Sequence, residues 1–215
     1  MSETSRTRNL SDQNQRAFWL KHLHRWHWIS AGLCLVGMIL FAATGITLNH
    51  GAQIEANPTV TQKEATLPAD LLASLSAAAP KGDKGKLPAA IEHWLVDKMG
   101  IVVGSQTAEW SEDEVYVPLP RPGGDAWASI DRKDGKVLYE KTDRGWISYF
   151  NDLHKGRHTG VAWSWFIDIF AGTCLVFCLT GLCLLQIHSG KRPATWPVVG
   201  LGVIVPLLLA ILFIH

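Results

Sequence analysis

Between Trp26 and Gln53 the chain contains no Asp, Glu, Lys or Arg. A helix needs about 20 apolar residues to cross the hydrocarbon core of a bilayer, so this run is long enough. Two further apolar runs cover residues 161–187 and 196–214. Within lipid every backbone N–H and C=O must be satisfied inside its own segment, which leaves helices as the structure for such runs. Trp26, Trp28, Trp163 and Trp165 stand at run ends, where interfacial aromatics belong. Ala31, Gly32, Gly37, Ala42, Ala43 and Gly45 thin the first run, which suits close approach of a second helix. The expected fold class is therefore an α-helical membrane protein with three transmembrane helices.

The expected order is a polar N-terminal arm (1–23), helix one (24–50), a polar region (51–145), an interfacial segment (146–160), helix two (161–187), a short loop (188–195) and helix three (196–215). The arm reads as poorly ordered, with an amphipathic start around residues 16–21. The first run is too long for a cleavable signal and reads as a signal anchor. Segment 1–26 carries Arg6, Arg8, Arg16, Lys21 and Arg25 against Glu3 and Asp12, and the loop carries Lys191 and Arg192 with no acid. By the positive-inside rule both short flanks are cytoplasmic and residues 51–160 are extracytoplasmic. The expected location is the inner (plasma) membrane of a bacterium, in contact with the lipid bilayer.

The external region is expected to be a small α+β unit inserted between helices one and two. Residues 51–65 read as an extended lead-in, 67–78 as a short helix and 80–86 as a linker. Residues 87–99 read as an amphipathic helix stopped by Gly100. Four strands are expected over 102–109, 114–119, 125–131 and 136–141, separated by turn-forming residues. Residues 51–160 hold 13 basic and 16 acidic side chains, a mixed solvated surface. The whole chain has a net charge of +1, which excludes a nucleic-acid footprint. Cys34, Cys174, Cys178 and Cys183 all fall in apolar runs and read as small buried hydrophobes. They form no CxxC pattern, and three methionines are too few to line a copper path.

Two motifs repeat around helices one and two. Leu23-His24-Arg25-Trp26 opens a helix that ends in Thr44-Gly45-Ile46, and Asp152-Leu153-His154 precedes a helix that ends in Leu179-Thr180-Gly181-Leu182. Between them, the helix and meander close on Asp131-Arg-Lys-Asp-Gly-Lys-Val-Leu138. Over most of residues 22–187 the chain resembles the PepSY-associated transmembrane family, with a PepSY-like external domain. Longer members of that family have four or more spanning helices and include ferric-siderophore reductases that carry haem in the membrane. The resemblance implies membrane redox work associated with iron.

The histidines sort by run end. His24, His27 and His188 fall at the expected cytoplasmic face, and His50, His154 and His158 at the outer face. A b-type haem in a helical bundle takes neutral axial imidazoles from two facing helices. The expected ligand pairs are His24 with His188 and His50 with His154, for one or two haems. His27 and His158 are alternatives. A covalent haem is not expected, because no CxxCH is present. Helical phase favours His24 over His27: 26 steps to His50 leave a residual of about 80°, and 23 steps leave about 140°. Those 26 steps span roughly 39 Å, a long gap for direct electron transfer. Asp168, early in helix two, and Arg25 are expected to support the site, through a histidine or a propionate. A histidine cluster for zinc or copper lacks carboxylate or thiolate companions.

The functional expectation is electron transfer across the membrane, for reduction of an iron complex or a periplasmic redox protein, with a homodimer as a way to cover cofactors. The alternative is a non-redox accessory protein whose PepSY-like domain binds or restrains a partner.

Overall fold

The computed structural model describes residues 3–54 and 57–214, with side-chain surroundings from residue 13 onward except at residues 55, 56 and 191. Two units divide the chain, Met1–Ile39 with Trp165–His215 and Leu40–Ser164. Three helices are long and apolar enough to cross a membrane: Gln13–Asn49, Gly160–His188 and Thr195–Phe213.

Helix α1 runs unbroken over Glu3–Asn49. The arm expected to be poorly ordered is thus helical from residue 3. No Gly or Pro occurs before Gly32, so nothing in the arm breaks a helix propagated from the apolar run. Helix α5 covers Gly160–His188, and helix α6 covers Thr195–Phe213 with Pro206 inside it. His215 lies outside the described residues.

The polar region forms a six-stranded antiparallel sheet rather than a four-stranded meander. Strands β1 (Thr59–Thr66), β2 (Lys84–Gly85), β3 (Ala108–Trp110), β4 (Glu114–Pro118), β5 (Gly124–Asp131) and β6 (Lys136–Asp143) lie in the order β1-β6-β5-β4-β3-β2. The segment read as a lead-in is β1, which pairs with β6 from Thr59↔Asp143 to Thr66↔Lys136. The expected strand over 102–109 shrinks to β3 because Gly104 takes a φ of +62° and turns the chain.

Burial alternates along β5, with Ala126, Ala128 and Ile130 inward, as one covered face requires. That face meets helix α2 (Ala69–Ala77), and helix α3 (Ala89–Trp94) with its π-turn Leu95–Met99. Leu75, Ile91, Leu95 and Met99 bury against Val115, Val117, Ile130 and Val137. Gly100 ends the helical stretch at a φ of +69°, with its N–H donated to Val96 O and that of Ile101 to Leu95 O.

Helix α4 (Gly145–Lys155) follows β6 and is tied to the sheet. The buried Asp152 carboxylate accepts the Gly123 N–H at 2.9 Å. Gly123 has a φ of +74°, and a Cβ there would sit 2.8 Å from Tyr149 Cα. Trp146, Ile147 and Phe150 remain exposed on α4.

Candidate functional site

The first unit is a seam between α1 and α5. Gly37 leaves room for the Phe170 ring. Ser30 is buried and donates to Trp26 O at 2.7 Å, which satisfies its hydroxyl within its own helix. His27 crosses the seam. Its ring stacks on Phe177 at 4.6 Å and 16°. Its Nδ1 lies 3.0 Å from Thr180 Oγ1 and 3.2 Å from Phe177 O. A carbonyl only accepts, so Nδ1 carries the proton. The Thr180 hydroxyl is itself donated to Val176 O at 2.7 Å, so Oγ1 accepts from the imidazole. A Cβ at Gly181 would lie 3.3 Å from His27 Cε1. His27 is thus packed into the helix–helix contact.

His24 and His188 behave differently. Each donates Nδ1–H to the carbonyl one turn back in its own helix, His24 to Leu20 O and His188 to Leu184 O, both at 2.8 Å. Each Nε2 therefore keeps its lone pair. The two rings lie 6.2 Å apart between centroids, with their planes at 89°. The structure brings these two sequence-derived candidates together. Arg25, the next residue, is exposed and forms no ion pair among the described residues. Asp168 is exposed on α5 and likewise makes no hydrogen bond or ion pair among the described residues.

In the second unit, His154 of α4 faces the end of α1. Its Nδ1 lies 2.7 Å from Thr44 Oγ1, and the Thr44 hydroxyl is donated to Leu40 O at 2.9 Å. The ring packs on Phe41 at 4.8 Å, and a Cβ at Gly45 would lie 3.8 Å from its Cε1. Beside it, Thr47 donates to Asn151 Oδ1 at 2.6 Å, and Trp163 Nε1–H is donated to Leu153 O at 2.9 Å.

His50 is exposed, with Nδ1 at 3.0 Å from Ile46 O. It follows Thr44 by six residues, about 9 Å along a helix, so His154 sits at the level of Thr44 and Gly45 rather than His50. No ring contact joins His50 to His154 among the described residues. His158 is exposed at a φ of +58°, and its Nε2 accepts from Arg157 Nε–H at 3.3 Å. Clefts of about 410 and 360 Å³ flank Trp146, lined by residues such as Arg144, Asn151, Arg121 and Tyr149, and neither has a histidine in its wall.

In the sequence Asp152 stands only in the Asp152-Leu153-His154 motif, yet its carboxylate holds α4 to the sheet. The available signal was an acid placed among Trp146, Tyr149 and Phe150, where an uncompensated charge is costly. Thr44 and Thr180 likewise stand in the two Thr-Gly motifs. Their hydroxyls set the tautomers of two histidines.

A haem needs neutral imidazoles with an available nitrogen, oriented by a bond at the other nitrogen. The His24 and His188 donor set fits that chemistry. Neither a curated protein nor a solved structure matches the chain. The model of the PepSY_TM-like family matches residues 18–215, nearly the whole length, and the chain belongs to that family.

Proposed function

We propose that this protein is an inner-membrane b-type haem protein in which His24 and His188 supply the axial nitrogens, and that it passes electrons across the membrane to an iron complex or a periplasmic redox partner. The observation that carries the reading is the 6.2 Å approach of two imidazoles whose Nδ1–H groups are both occupied by backbone carbonyls. The bound haem would supply one-electron chemistry. The protein's part is to fix the Nδ1–H tautomer of each histidine and to keep both rings at facing helix ends. Arg25 offers a cation to a propionate. In this reading the basic flanks favour a cytoplasmic position for this end of α1 and α5.

The test is absorption spectroscopy of the detergent-purified protein, oxidised and dithionite-reduced, after expression with haem supplied. The expected result is a Soret band and a bis-imidazole reduced spectrum. His24→Ala and His188→Ala should abolish the same component. Absence of a Soret band, or survival of that component in both variants, would overturn the reading. A second component lost in His50→Ala and His154→Ala would add the outer haem. The same reading includes a homodimer, which light scattering in detergent tests.

One observation favours the non-redox accessory reading. Strand β1 lies at a sheet edge, and seven of its eight residues are exposed. An open edge of that length accepts an added strand from a partner protein.

A further inference from the structure

Helix α4 runs alongside the end of α1 in the opposite direction. His154 meets Thr44 at 2.7 Å and Asn151 meets Thr47 at 2.6 Å, so three residues forward on α1 match three backward on α4. By that register Phe150 stands level with Leu48, where the apolar residues of α1 end. Ile147 and Trp146 stand level with positions three and four residues further, about 5 and 6 Å outward at 1.5 Å per residue. Gly51 lines one cleft together with Trp146 and Ile147, as this register requires. The first turn of α5 joins the same place, because Trp163 donates its Nε1–H to Leu153 O of α4 at 2.9 Å.

Trp146, Phe150 and Ile147 fall within about 100° of helical arc. The Trp146 and Phe150 rings lie 6.3 Å apart, and the Trp146 side of this face is 75% exposed. Asp152 and Tyr149 take the other side of α4 to the sheet. The exposed apolar face is therefore not used in packing the sheet. Its charges suit a phosphate surface. Arg144, Lys155 and Arg157 are exposed and form no ion pair among the described residues, and the one acid between positions 144 and 158 is the buried Asp152.

The headgroup layer extends about 5–7 Å beyond the hydrocarbon core on each side of a bilayer. That is the height of Trp146 above the end of the apolar run. Tryptophan favours this layer, and long basic side chains reach its phosphates. We propose that the Trp146–Ile147–Phe150 face of α4 is seated in the bilayer interface, with Phe150 at the edge of the hydrocarbon and the Trp146 indole among the headgroups. The face continues the lipid contact of the spanning helices, and the Asp152–Gly123 bond passes the anchorage to the sheet. The inference rests on the membrane-length helices and is independent of haem.

The experiment uses the full-length protein in phosphatidylcholine–phosphatidylglycerol nanodiscs. The chain has ten tryptophans, so the emission of Trp146 is read as wild type minus Trp146→Phe. Phenylalanine keeps an aromatic ring at an exposed position, so the fold is retained. The difference emission should be quenched by phosphatidylcholine brominated high on the acyl chain, less by lipid brominated near the chain end, and weakly by aqueous iodide. Adding Phe150→Trp to Trp146→Phe should create an emission quenched by brominated lipid more strongly than that of Trp146. Quenching of Trp146 by iodide without quenching by brominated lipid would overturn the proposal, because the face would then lie in water. Protection from both quenchers would overturn it too, because a second copy or a partner protein would then cover the face. Weaker lipid quenching at position 150 than at 146 would overturn the depth order.

Discussion

The Nδ1 of His154 lies 2.7 Å from Thr44 Oγ1, and in the other unit His27 Nδ1 lies 3.0 Å from Thr180 Oγ1. In both cases the threonine hydroxyl is donated to the carbonyl four residues back, and the next residue is a glycine against which the ring packs. Each histidine therefore rests on a Thr-Gly step of another helix. The occupied hydroxyl makes threonine an acceptor, which holds the imidazole in its Nδ1–H form.

Thr44→Val and Thr180→Val keep the side-chain volume and remove that acceptor. His154 then has no partner for Nδ1–H, while His27 keeps the Phe177 carbonyl. Thr44→Val should therefore cost about 1–3 kcal/mol, and Thr180→Val less. Thermal unfolding in detergent measures this, with Thr44→Ser as the rescuing variant. If Thr44→Ser were as damaging as valine, the hydrogen bond would not be the cause.

The two glycines should respond unequally to alanine. At Gly45 the new methyl meets His154 at 3.8 Å, an ordinary contact, whereas at Gly181 it meets His27 at 3.3 Å. Gly45→Ala should be close to neutral. Gly181→Ala should lower the unfolding temperature. Gly37→Ala should be worse than either, because its methyl would enter the space of the Phe170 ring. Pairing it with Phe170→Leu should recover part of the loss, which a double-mutant cycle would show as coupling.

The junction of α4 with the sheet makes a third case. Gly123→Ala places a methyl against Tyr149 backbone at a φ of +74°. The backbone conformation alone should cost about 1–3 kcal/mol. Asp152→Ala strands the Gly123 N–H and should destabilise by a similar amount. Asp152→Asn keeps an acceptor oxygen and should be milder. Hydrogen exchange at the Gly123 amide reads both effects directly.

Asp131 links stability to pH. Its Oδ1 accepts the N–H of Lys133 at 2.7 Å and of Asp134 at 3.1 Å, shaping the turn between β5 and β6. These backbone bonds, with smaller help from the Asp134 side chain and the Lys133 charge, hold its carboxyl below the usual carboxylate range. The folded pKa is depressed, so the contribution is present above the ordinary value of about 3.9 and disappears as pH falls through the lowered one. Unfolding temperature should fall in that acidic window in the wild type. Asp131→Asn should flatten that part of the profile, and an unchanged profile would remove Asp131 from the account.

The three membrane-length helices were legible in the amino-acid sequence because a long apolar run in lipid must satisfy its backbone within its own segment. Strands β4 to β6 and the Gly100 stop were legible for a local reason: alternation and turn residues act over a few positions. Strand β1 was not. Its partner β6 begins some 70 residues later, and a strand with exposed polar side chains has no hydrophobic pattern to mark it.

The histidines show the same division. Sequence alone put them at the ends of facing helices, where antiparallel packing brings ends together. Only the tertiary structure decided which rings reach a neighbouring Thr-Gly step and which two rings, His24 and His188, meet each other. A one-residue rotation is 100°, and side-chain hydrogen bonds choose among such positions only once the helices have packed.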